Sequence, residues 1–76
     1  MLERPVANEP SSLSTRERQV LEIATLGLSN AEIARRLKVT SYAVKFHLSS
    51  VYRKLGVANR TEAVAAYLRA EGKEAG

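Results

Sequence analysis

The chain has no cysteine, so neither a disulfide staple nor a thiolate metal site is available to it. His47 is the only histidine, which excludes a histidine-based zinc site. No apolar run approaches membrane-spanning length, and the opening MLERPVANEP lacks a signal-type apolar core. The expectation is a soluble, cytoplasmic protein with no membrane partner. No nucleophile, base and orienting group come together around His47, so no catalytic site is expected. Nor is a cofactor, metal or small-molecule ligand expected within this segment. Internal repeats, alternating strand patterns and low-complexity blocks are also missing, which leaves an all-α fold.

The 76 residues suffice for one small domain with a single shared core. The net charge of +4 is unevenly spread. Residues 29–60 hold seven lysines and arginines against Glu32 alone. Such concentration fits a nucleic-acid footprint, and equally a solvated basic surface.

Residues 40–55, TSYAVKFHLSSVYRKL, are the stretch around which the rest is organised. Val44, Leu48, Val51 and Leu55 recur at helical spacing as one apolar stripe. Tyr42, Lys45, Phe46, Ser49 and Arg53 fall opposite. The stretch has no acid. A helix apolar on one side and cationic, hydroxylated and aromatic on the other suits its own core and an anionic surface.

The flanking segments read as three shorter helices. Residues 1–12, with Pro5 and Pro10, read as a flexible arm or linker. Ser14 and Glu17 make a capping box for a first helix ended by Gly27, with Val20, Leu21 and Ala24 inward and Arg16, Glu17, Arg18 and Glu22 as a solvent face. Ser29 and Glu32 repeat the box before a short second helix whose inner face is Ile33, Ala34 and Leu37. Lys38 and Val39 leave room only for a tight turn before Thr40 caps the third helix, about 41–55. Short helix, tight turn and longer helix is the helix-turn-helix arrangement, with Lys38 where many such turns carry glycine. Asn59 and Glu62 cap a fourth helix, about 60–70, with Ala63, Ala66, Tyr67 and Ala70 inward. Thr61, Ala65 and Leu68 share its far side, a small–small–large stripe that suits self-association or, for Leu68, a wrap over the domain edge. Residues 71–76 read as a disordered tail.

Three blocks give the chain a resemblance to the C-terminal DNA-binding domain of the LuxR/FixJ/NarL family of bacterial transcriptional regulators. They are residues 13–21, LSTRERQVL; residues 27–34, GLSNAEIA; and VKFHL at 44–48 running through YRKLGV at 52–57 to NRTEAV at 59–64. The resemblance covers residues 13–70 and implies a four-helix LuxR-type helix-turn-helix domain. Its third helix would read the major groove of double-stranded DNA and its fourth would mediate a homodimer on palindromic half-sites. RNA polymerase is a further candidate partner. Members usually carry an N-terminal receiver or ligand-sensing domain.

By position, the resemblance makes Lys45, Phe46 and Ser49 base-reading, with Tyr42 near the helix start. Lys45 matches the usual basic residue, whereas Phe46 and Tyr42 depart from the common polar and charged choices. Ser29, Asn30, Thr40, Lys54 and Arg60 match phosphate-contacting positions. Thr61, Ala65 and Leu68 stand as the dimer interface. A sigma-factor region-four domain is the nearest alternative. A protein-interaction module using Tyr42 and Phe46 is the alternative of a different class.

Overall fold

The computed structural model describes residues 12–72. The expected arm up to residue 11 and the tail from residue 73 lie outside the described residues. The order is α1 (Thr15–Ala24), α2 (Asn30–Leu37), α3 (Ser41–Leu55) and α4 (Arg60–Ala70), with no strand among the described residues.

Each helix starts where a cap satisfies its orphan amides. Ser14 Oγ accepts from the Glu17 amide at 3.1 Å while Glu17 Oε1 accepts from the Ser14 amide at 2.9 Å. Ser29 and Glu32 repeat this reciprocal pair at 3.2 and 2.7 Å. Thr40 Oγ1 accepts from the Ala43 amide at 3.0 Å. At α4 the box is offset: Asn59 Oδ1 accepts from the Glu62 amide, but the Glu62 carboxylate reaches back to the Ala58 amide.

The helix ends are less regular than the sequence suggests. α1 stops at Ala24, three residues before Gly27. The Thr25 hydroxyl donates to the Glu22 carbonyl at 2.6 Å, and Gly27 completes the turn at φ +80°. α3 closes at Gly56, φ 69°, with the Val57 amide donating back to the Tyr52 carbonyl. α2 closes the same way around Lys38, whose φ of 58° and ψ of 45° are left-handed. The Val39 amide then donates to the Ala34 carbonyl at 3.0 Å, and the Val39 side chain packs into the core. Lysine therefore takes the conformation that glycine adopts without penalty, at a cost of roughly 1–2 kcal/mol. The packing of the half-buried Val39 holds it there.

The α3 stripe is the spine of the core. Val44 and Leu48 pack with Val20, Ala24, Ile33 and Ala34; Val51 and Leu55 pack with Leu13, Leu21, Ala63 and Tyr67. Tyr52 and Val64 touch both groups, and α3 packs against all three other helices. Burying a Val or Leu side chain contributes about 1.5–3 kcal/mol, so one stripe fixes the orientation of α3. One expectation for α4 is corrected: Ala70, expected inward, is exposed. Leu68 is half-buried against the Leu21–Tyr67 group, as its reading as a wrap over the domain edge expects. An 11-residue helix at the domain edge wraps around the core, so a long Leu reaches it where a short Ala does not.

Candidate nucleic-acid interface

With its apolar stripe buried, α3 turns Tyr42, Lys45, Phe46 and Ser49 to solvent. Tyr42 is 80% and Phe46 66% exposed. Lys45 has no salt bridge among the described residues. The His47 ring stands edge-on to Phe46, with centroids 5.8 Å apart at 69°, and so limits the directions the phenyl ring can take.

Two further elements meet this face. The Arg60 guanidinium, at the first residue of α4, donates to Asn30 Oδ1 at 3.3 Å and to the Leu28 carbonyl. It thereby brings the N-termini of α2 and α4 together. An open depression of about 700 Å³ results, bordered by Ser29, Asn30, Ser41, Tyr42, Lys45 and Arg60. A second, of about 450 Å³, continues it past Ser49 and Tyr52. Helix N-termini carry partial positive charge and unpaired amides, and with Lys45 and Arg60 they make this face anion-attracting.

Six of the expected nucleic-acid residues therefore line one continuous surface: Ser29, Asn30, Tyr42, Lys45, Ser49 and Arg60. Phe46 extends it through a smaller recess shared with Tyr42, Lys45 and Ser49. Thr40 is exposed at the head of α3, its hydroxyl oxygen already bonded as the cap. Lys54 is not part of this surface. Its ammonium sits 2.9 Å from Glu17 Oε1, half a helical turn around α3 from Lys45. On α4, Thr61 and Ala65 are exposed, while Leu68 is half-buried.

Glu17 is the residue that sequence reasoning misplaced. It is only 7% exposed, although it was expected on a solvent face. Beyond the Ser14 amide, its carboxylate accepts from the Ser50 hydroxyl at 2.7 Å and from Lys54. Burial pushes its pKa up, but the Ser14 amide, Lys54 and Ser50 outweigh this and hold it down at about 2. The Ser50 hydroxyl in turn accepts from Arg53 at 3.3 Å. The network bolts α1 to α3 behind the exposed face. A signal was available: residues 17, 20, 21 and 24 share the helical spacing of a single face, so the acid stood in the apolar stripe.

A short second helix, a tight turn and a long third helix with an exposed polar face define a helix-turn-helix domain. The family described as "Bacterial regulatory proteins, luxR family" matches residues 11–67. The chain belongs to that family and is a helix-turn-helix DNA-binding domain of transcriptional-regulator type. It is 41% identical over 58 residues to the CsgBAC operon transcriptional regulatory protein of Escherichia coli (strain K12), covering 76% of this chain and 27% of that one. The transcription factor GerE has a similar solved structure, with a TM-score of 0.71 and 32% identity over 83% of this chain and 92% of GerE. The response regulator ChrA of a heme-sensing two-component system matches with a TM-score of 0.71 and 34% identity, over 96% of this chain and 32% of ChrA. The chain thus spans about a quarter of the length of the CsgBAC regulator.

Proposed function

We propose that the chain binds double-stranded DNA sequence-specifically, with α3 in the major groove, and regulates transcription. The observation that carries this is the acid-free outer face of α3, with exposed Lys45 beside the paired N-termini of α2 and α4. Lys45 and Ser49 offer hydrogen bonds to base edges, the amine suiting guanine O6 and N7, and Tyr42 and Phe46 add contact surface. Ser29, Asn30 and Thr40 hold phosphates through amides and hydroxyls. Arg60 serves the phosphates from a guanidinium already braced on Asn30, so it positions as well as attracts. Lys54 acts behind the interface through Glu17 and contributes to the phosphate field only at long range.

Two copies paired through Thr61, Ala65 and the outer edge of Leu68 would address palindromic half-sites about one helical turn apart. One module buries limited surface and binds weakly alone, so pairing raises affinity. RNA polymerase is a partner consistent with a transcriptional role. We assign residues 13–70 to the domain, residues 1–12 to an arm and residues 71–76 to a tail. No catalytic activity is proposed, and the cytoplasm is the proposed location. No helix among the described residues is long and apolar enough to cross a membrane.

Selection of bound duplexes from a random pool at near-physiological salt tests the reading. An enriched motif whose affinity falls steeply with salt supports it. Retention without enrichment, or no retention beside specific capture of a protein on Tyr42 and Phe46, overturns it in favour of a basic or protein-binding module.

A further inference from the structure

Three large apolar side chains stand exposed among the described residues, Leu26, Tyr42 and Phe46. Two of them are on the outer face of α3, four residues apart, where groove-reading would otherwise call for hydrogen-bonding groups. Side chains four apart on a helix lie on one face, separated by about 6 Å along the axis. Both rings border a recess of about 250 Å³ with Lys45 and Ser49. The edge-on His47 ring packs against one edge of Phe46, so part of the rotamer freedom lost on binding is already given up in the free chain.

A duplex offers one apolar group on the base edges of the major groove, the 5-methyl of thymine. We propose that Phe46 and Tyr42 each cover a thymine methyl, so that the preferred half-site carries two thymines flanking the base pair read by Lys45, which lies between the two rings along α3. The shared chemistry is a 5-methylpyrimidine edge, which a 5-methylcytosine would also present. The inference rests on the major-groove reading of α3 and names the sequence class that face selects.

The test uses the duplex enriched from the random pool. Each thymine is replaced singly by deoxyuridine, which removes the methyl and keeps every hydrogen-bonding group. Affinity should fall about fourfold at each of two positions, the worth of one buried methyl, and stay level elsewhere. Phe46→Ala should abolish the effect at one position and Tyr42→Ala at the other. Both side chains are exposed, so both variants keep the fold, checked by helical circular dichroism. At either position 5-methylcytosine should bind better than cytosine by a similar factor. Full tolerance of deoxyuridine, or losses that persist in both variants, overturns the inference while leaving DNA binding intact. Failure to bind any duplex overturns the DNA reading itself, which separates the two failures.

Discussion

Replacing Glu17 by Gln keeps the shape of a buried side chain and removes its charge. In the folded chain the carboxyl is held at about 2, against an ordinary value of 4.5. Each tenfold change in proton affinity corresponds to about 1.4 kcal/mol, so the gap amounts to about 3 kcal/mol at most. Lys54 is 35% exposed, and water around it screens part of this, leaving about 1–3 kcal/mol. Because the folded value lies below the unfolded one, the contribution is complete above pH 4.5 and is lost as pH falls towards 2. Urea unfolding of the native chain and Glu17→Gln, followed by helical circular dichroism, measures the difference at neutral and acid pH. The Ser29 amide also holds the Glu32 carboxyl below its ordinary value, but that group titrates in both proteins and cancels in the comparison. The variant should be less stable by about 1–3 kcal/mol near neutrality, with the deficit closing near pH 2. A deficit that is constant with pH would place the effect in packing and refute the electrostatic account. No deficit at neutral pH would remove the network from the fold's stability altogether.

Lys45→Ala should cost about 1–3 kcal/mol on the preferred duplex and flatten base preference at one position, read by repeating the selection with the variant. Arg60→Ala removes the brace between the N-termini of α2 and α4. It should lower affinity for all duplexes and cost about 1 kcal/mol in urea unfolding. Lys38→Gly relieves the left-handed backbone and should stabilise the domain by about 0.5–1 kcal/mol after the added freedom of the unfolded chain is offset. Ala65→Arg places charge on the exposed side of α4 without disturbing the core. It should weaken binding to paired half-sites more than to single ones, and equal losses would exclude pairing through that face.

The helices were legible in the sequence because their starts are written locally. Ser14, Ser29, Thr40 and Asn59 all cap the helices they were expected to cap. The α3 stripe was legible because its period is fixed by helix geometry, and all four of its residues are buried. The ion pair of Lys54 was not, because its partner Glu17 is 37 residues away. Local pattern marks Lys54 as one more cation beside Arg53, and only the packing of α1 on α3 shows where its ammonium goes. The same holds for Arg60, whose link to Leu28 and Asn30 spans 32 and 30 residues. Leu68 shows the limit of a helical wheel: a short edge helix has no sharp outside, and a long side chain bends back to apolar neighbours.

The placement of α3 is tested most directly by a tether. The chain has no cysteine, so Ser49→Cys gives a single thiol on the exposed face. Preferred duplexes carrying a disulfide-forming tether on a major-groove or a minor-groove base edge are offered to this variant, and to Ala65→Cys as a control. Rapid crosslinking from position 49 to the major-groove tether, with none from position 65, is the expected result. Crosslinking to the minor-groove tether alone, or equal reaction at positions 49 and 65, would contradict the account.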